Sequence, residues 1–330
     1  MDSSDKRFCT GENLMMPLAV PTHGSILEQI GDTPLIELRA IVPEGSARVF
    51  VKAESENPTG SLKDRMALAM IETAEKDGRL KSGQAVVEYT GGSTGTSLAM
   101  VCAAKGYPLH IVTSDAFSTE KRDHMKALGA ELTVIESDFG GMDEALTRNM
   151  IETARQIRER TGGFWTDQLN NRAPIGAYRV MGDEIWRQTG GRIDAFVQGV
   201  GTSASLRGAA ESLLDKNKDI HIVAMEPSES AVLSGRETGV HKIEGIGAGY
   251  VVPLWDPSVV DEIATVSTED AKAMARRMAR EEALFAGTST GGNVVVALRL
   301  AEQLGPDASI VALMCDSGIK YLSTDLYREG

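Results

Sequence analysis

Lys63 stands in the run Glu56-Asn57-Pro58-Thr59-Gly60-Ser61-Leu62-Lys63-Asp64-Arg65, where helix physics does not favour a lysine. Ser61 and Asp64 read as a capping box. The apolar residues Leu62, Met66, Ala69 and Met70, closed by Gly78, predict one amphipathic helix. Lys63 then falls in the first helical turn, where free backbone N–H groups already present partial positive charge. That field disfavours an ammonium and lowers the cost of a neutral amine, which can act as a nucleophile or a base. Three loops rich in glycine and hydroxyls follow, each read as lying after a strand-like run and before a helix-like one: Thr90-Gly91-Gly92-Ser93-Thr94-Gly95, Gly199-Val200-Gly201-Thr202-Ser203-Ala204-Ser205 and Gly287-Thr288-Ser289-Thr290-Gly291-Gly292. Such junctions aim backbone N–H groups and a helix N-terminus at one point, which suits phosphate or carboxylate.

The elements that must position these groups alternate along the chain. Strands are predicted at Val86 to Thr90, Leu109 to Thr113, Leu132 to Ile135, Ala195 to Gln198, Ile220 to Met225, Ile263 to Val266 and Ile310 to Met314. Helices are predicted from Thr94 to Lys105, Ser118 to Leu128, Met142 to Glu159, Ile175 to Arg187 and Ser203 to Leu214. A further helix is capped by Ser267 with Asp270 three residues on. The stretch from Ser228 to Pro257 reads as a glycine-rich loop. This is an α/β chain with largely parallel sheets, whose ligands bind at the carboxyl ends of strands.

Composition narrows the partners. With 330 residues, 42% of them hydrophobic, the chain can bury a large core in two lobes. A net charge of -13 argues against nucleic acid and acidic membrane surfaces. No apolar run approaches the ~20 residues of a membrane span, and the start Met1-Asp2-Ser3-Ser4-Asp5-Lys6-Arg7 lacks the apolar core of a signal peptide. The three cysteines, Cys9, Cys102 and Cys315, show no metal spacing and suit a reducing compartment. A cytoplasmic location is the corresponding expectation.

From Ile26-Leu27-Glu28-Gln29-Ile30-Gly31-Asp32-Thr33-Pro34-Leu35 to Asp316-Ser317-Gly318-Ile319-Lys320-Tyr321-Leu322-Ser323-Thr324, the chain resembles the cysteine synthase and cystathionine β-synthase family. These are fold-type II pyridoxal-phosphate enzymes, a group that includes serine and threonine dehydratases. The resemblance implies two doubly wound, largely parallel-sheet domains of the tryptophan synthase β-like fold, with pyridoxal 5'-phosphate in the cleft between them. Residues 57–165 would form a smaller substrate-gripping domain. Residues 25–56 with 166–330 would form the larger cofactor-phosphate-binding domain, after an N-terminal extension, 1–24. Some cystathionine β-synthases hold haem through an upstream Cys and His. Cys9 and His23 read instead as ordinary residues of the extension.

Carried over residue by residue, the resemblance implies that Lys63 forms a Schiff base with the cofactor and afterwards serves as general base. Thr90, Gly91, Gly92, Ser93 and Thr94 would grip the substrate carboxylate with help from Gln168. Gly201, Thr202, Ser203, Ala204 and Ser205 would cradle the phosphate, Ser317 would hydrogen-bond the pyridine nitrogen, and Gly245 would line the pocket near the substrate amine. Two departures stand out. Ser93 replaces the asparagine that usually meets the cofactor's phenolic oxygen. The phosphate loop carries Ser203, Ala204 and Ser205 where relatives are richer in glycine, and their Cβ atoms restrict it. A neutral serine at the ring nitrogen favours expulsion of a β-substituent. The implied activity is β-replacement on an activated serine, O-acetylserine or O-phosphoserine, with sulfide to give cysteine. Three alternatives stay open: a lyase of the serine/threonine dehydratase or cysteine desulfhydrase type that stops at elimination, a β-replacement enzyme using another nucleophile, and a non-catalytic binding relative, against which the intact Lys63 argues. The family also implies a homodimer.

Overall fold

Short runs rich in valine and isoleucine, such as Ile310–Met314, suit strands covered on both faces, and a sheet built from them needs helices to cover it. The computed structural model describes residues 24–137 and 144–328. In chain order its elements are β1 (Leu35–Leu38), β2 (Arg48–Ala53), α1 (Lys63–Lys76), β3 (Val86–Tyr89), α2 (Ser93–Lys105), β4 (Leu109–Ser114), α3 (Thr119–Ala127), β5 (Glu131–Ile135) and α4 (Glu144–Thr161). There follow β6 (Phe164–Trp165), α5 (Ala173–Gln188), β7 (Ala195–Gly199), α6 (Ala204–Lys216), β8 (His221–Pro227), β9 (Glu262–Val266), α7 (Thr268–Glu281), α8 (Thr288–Leu304) and β10 (Ser309–Met314). Every predicted strand and helix appears, with ends moved by a few residues. Met142, the expected start of α4, lies outside the described residues, as do Cys9 and His23. Ser267 caps α7 as read from the sequence, its Oγ accepting from the Asp270 N–H at 3.1 Å.

The strands form two sheets. One has six strands in the order β1-β2-β10-β7-β8-β9, and the other has four in the order β5-β4-β3-β6. All pairings are parallel except β1 with β2, which the sequence reading omitted together with the two-residue β6. The reason is physical: β2 reads Arg-Val-Phe-Val-Lys-Ala, and its charged Lys52 breaks the apolar pattern although that side chain is wholly buried.

Lys52 is buried because it belongs to an ionic network that fixes the base of α1. Arg65 of α1 donates to Glu54 through Nε and Nη2, both at 2.8 Å, and to Glu184 of α5 at 2.8 and 2.7 Å. Lys52 Nζ donates to Glu184 and to the Thr33 carbonyl, each at 2.6 Å. Burial pushes the Glu184 carboxyl up, but the bonds and charge of Arg65 and Lys52 outweigh it and hold the group at about 2. A carboxylate depressed below its ordinary 4.5 contributes stability that is present above that pH and lost as the pH falls towards 2. Melting temperature measured from pH 7 to pH 3 should therefore drop steeply below about 4.5. In Glu184→Gln the drop should be shallower, from a starting stability lower by about 3–5 kcal/mol, because buried Lys52 loses its ion-pair partner and Arg65 keeps only Glu54.

Candidate active site

The chain enters α1 along the exit of β10. The Leu62 N–H donates to the Cys315 carbonyl at 3.0 Å, Ser61 forms an antiparallel bridge with Asp316, and the Ser317 N–H donates to the Gly60 carbonyl at 3.0 Å. Lys63 is the first residue of α1, as its spacing predicted. The capping box is not formed as expected. The Asp64 carboxylate instead reaches back to Thr59, accepting from its N–H at 2.7 Å and from its hydroxyl, while Ser61 Oγ accepts from the Lys63 N–H at 3.3 Å. Ser61 is held by its backbone bridge to Asp316, and the N-cap position of α1 falls on Leu62, which offers no side-chain cap. Burial pushes the Lys63 pKa below its usual value, against the opposing pull of Cys315 and Asp316. Its Nζ has no hydrogen bond or ion pair with any described residue.

The first glycine loop leaves β3, and Ser93 and Thr94 already belong to the first turn of α2. A Cβ on Gly91 would fall 2.0 Å from the Phe117 ring, and one on Gly92 would fall 2.8 Å from Lys121 Cδ, so both glycines are required by close packing. Thr94 Oγ1 donates to Gln168 Oε1 at 2.8 Å, and Gln168 Nε2 donates to the Tyr89 carbonyl at 3.1 Å. The structure thus brings Gln168 to the loop across β6. Ser93 turns the other way, its Oγ 3.5 Å from Asp316 Oδ2.

The second loop leaves β7 and is closed by the segment carrying Gly245. A Cβ on Gly201 would lie 2.3 Å from the Gly245 carbonyl oxygen. Thr202, Ser203, Ala204 and Ser205 are buried, and α6 begins at Ala204, so the loop ends in a helix N-terminus. Ser203 adopts a left-handed conformation with φ of 70°, the strain that its Cβ was expected to impose. Ser203→Gly should therefore raise stability by up to about 1 kcal/mol, read as a higher urea midpoint at unchanged slope. Ser205 Oγ accepts from Gln198 Nε2, a neighbour from β7.

The third loop departs from expectation, since it follows α7 rather than a strand and supplies the first turn of α8. It nevertheless converges on the same place. Thr290 Oγ1 accepts from the Cys315 N–H at 3.0 Å, and Asn293 accepts from the Gly199 N–H at 2.7 Å while donating to the Leu313 carbonyl at 2.7 Å. Ser317 caps the short turn Gly318–Tyr321, its Oγ accepting from the Ile319 N–H at 3.3 Å.

Sequence reasoning missed the charged groups that join these loops. Lys121 pairs with Glu244 and stands 4.2 Å over the Tyr321 ring, whose hydroxyl donates to Asp316 Oδ2 at 2.7 Å. Burial raises the Asp316 carboxyl above its usual value, against Lys121 and the Tyr321 bond. Lys320 Nζ is buried with no hydrogen-bond partner among the described residues. The available signal was proximity in sequence: Glu244 precedes Gly245, and Asp316 precedes Ser317.

The geometry therefore gathers an unpaired, half-buried amine, three N–H-rich loops and a hydroxyl at the exit of β10. Comparisons with known proteins agree with that arrangement. The family described as pyridoxal-phosphate dependent enzyme matches residues 26–316. A cysteine synthase of Staphylococcus aureus is 41% identical over 305 residues, 92% of this chain and 96% of that protein. Cysteine synthase B of Escherichia coli is 39% identical over 307 residues, 92% and 97%. Among solved structures, O-ureido-L-serine synthase superposes with a TM-score of 0.88 at 37% identity, covering 94% of this chain and 98% of that one. Cysteine synthase of Entamoeba histolytica gives 0.86 at 37%, covering 100% and 95%. With its fold, its unpaired lysine and its relatives in agreement, the chain belongs to the pyridoxal-phosphate-dependent enzymes.

Proposed function

We propose that the protein is a cysteine synthase, catalysing β-replacement on O-acetylserine or O-phosphoserine with sulfide to give L-cysteine. The observation that carries the reading is Lys63: a half-buried amine without a partner among the described residues, its pKa depressed, in a chain about 40% identical to cysteine synthases over most of its length.

Pyridoxal phosphate, when bound, supplies the electron sink that lets the substrate Cα lose its proton and the β-substituent depart. The residues suit that group. Lys63 offers a neutral amine to hold it, and afterwards Nζ can take the proton from the substrate Cα. Gly201 to Ser205, with the α6 N-terminus behind them, offer N–H groups to its phosphate in a cradle that a Cβ at Gly201 would fill. Among the described residues the Ser317 hydroxyl hydrogen is uncommitted, and it can be donated to the ring nitrogen without adding charge. Thr90 to Thr94 and Gln168 take the substrate carboxylate, with Ser93 also near the cofactor, and Gly245 lines the amine side. Thr90, Gly92 and Thr94 are buried, which limits water on that side of the reacting Cα and Cβ.

In the same reading, residues 57–165 are the smaller domain and 25–56 with 166–330 the larger, and the enzyme is a cytoplasmic homodimer. No helix among the described residues is long and apolar enough to cross a membrane. Light scattering should give twice the monomer mass.

The decisive experiment is turnover. O-acetylserine or O-phosphoserine with sulfide should give cysteine, and pyruvate should form far more slowly when sulfide is omitted. Pyruvate formation without sulfide as fast as cysteine formation with it would make the enzyme a lyase.

A further inference from the structure

Glu88, the penultimate residue of β3, is fully buried, yet no ion pair compensates it among the described residues. Four donated hydrogen bonds converge on it instead. Oε1 accepts from the Tyr89 N–H at 2.9 Å and from Trp165 Nε1 at 3.2 Å. Oε2 accepts from Thr166 Oγ1 at 2.5 Å and from the Gln168 N–H at 3.0 Å. Three of the four donors come from the four-residue stretch where β6 runs out towards the first glycine loop. Burial pushes the carboxyl up to about 7 against the pull of these donors, so the site spends stability to keep an acid where an apolar residue would pack at less cost.

What the acid holds is a strained turn. Asp167, between Thr166 and Gln168, takes a left-handed conformation with φ of 49°, a conformation that costs a non-glycine residue on the order of 1 kcal/mol or more. Glu88 binds the residue on each side of it. The turn brings the Gln168 side chain back over the loop, where Oε1 accepts from Thr94 and Nε2 donates to the Tyr89 carbonyl. One Nε2 hydrogen is left uncommitted among the described residues, beside the loop assigned above to the substrate carboxylate.

We propose that Glu88 is a positioning residue for substrate recognition: it fixes the Thr166–Gln168 turn so that the Gln168 amide, held by the Thr94 hydroxyl, presents its free Nε2 hydrogen as a preformed grip for the α-carboxylate. The proposal rests on the assignment of Thr90 to Thr94 and Gln168 to that carboxylate. In Glu88→Gln the amide nitrogen settles most cheaply at the Oε2 position, because the Thr166 hydroxyl can turn round to accept from it whereas the Gln168 N–H cannot. The bond lost is then the one that holds Gln168.

The test uses holoenzyme, with KM and kcat for O-acetylserine and a calorimetric Kd for L-serine. Glu88→Gln should raise KM and Kd about tenfold, with kcat within about threefold and the visible cofactor absorption unchanged. In the double variant with Gln168→Ala, KM should rise no further than in Gln168→Ala alone, since both changes remove one grip. An unchanged KM and Kd in Glu88→Gln, or effects that multiply in the double variant, would overturn the proposal. Should Glu88→Gln fail to fold, Thr166→Val decides instead. It should raise Kd a few-fold and lose that effect on the Gln168→Ala background, and a Kd equal to wild type would reject the role. A wild type that binds L-serine but turns over neither activated serine refutes the assigned reaction and leaves Glu88 testable through Kd. A wild type that binds no L-serine refutes the carboxylate grip and this proposal with it.

Discussion

Replacing Lys63 by alanine should lower cysteine formation by at least about a thousandfold, since the proposed assignment makes it both the cofactor-holding amine and the base at Cα. The same change should leave thermal stability unchanged or raise it. Lys63 Nζ has no partner among the described residues, and removing an unpaired, half-buried amine relieves the desolvation that depresses its pKa. Borohydride treatment of the wild type should bleach the visible band and leave a reduced adduct on Lys63. Lys320 makes the control informative, being a buried amine whose pKa burial also lowers. An adduct recovered on Lys320 would reassign the cofactor, although Lys63 is the more accessible of the two lysines. What distinguishes them is that Lys63 opens α1 against the exit of β10.

The second large effect is expected at Gly201. A methyl group there meets the Gly245 carbonyl at 2.3 Å, and the obstacle is backbone rather than a flexible side-chain end, so one of the two loops must move. Gly201→Ala should weaken cofactor retention at least about a hundredfold, measured by dialysis and reconstitution, and destabilise the apoprotein by about 1–3 kcal/mol. Retention equal to wild type would remove this loop from the phosphate site.

The sequence was most legible where one local rule decided the outcome. The apolar runs gave nearly every parallel strand, and glycine followed by hydroxyls marked the helix starts at Ser93 and Ala204. It failed where long-range partners override local pattern. Lys52 in β2 looks like a solvent-facing residue until Glu184 and Thr33, far away in sequence, enclose it. Asp64 looks like the partner of Ser61 until the pairing of Ser61 with Asp316 takes that residue away. The Lys121–Glu244 pair and Glu88 were invisible for the same reason. A charged residue in a short motif carries no sign of whether it will meet water or a buried partner. The depressed pKa of Lys63 was anticipated from the helix field, yet its dominant cause is burial, which only the packed β10 exit supplies.

The position of β10 in its sheet also sets an order of assembly. It lies between β2 and β7, pairing Ser309 with Arg48, although about four-fifths of the chain separates those two residues. During synthesis β2 must wait for its central neighbour. At roughly 5–20 residues per second that delay is on the order of 10–50 s, during which one edge of β2 and the segment around Lys63 lack their template. The enzyme therefore cannot mature piecemeal from its N-terminus. A ribosome-bound chain arrested before Ser309 has emerged should resist neither protease nor chaperone binding at β2, and release of the next few residues should protect the strand and the lysine segment together.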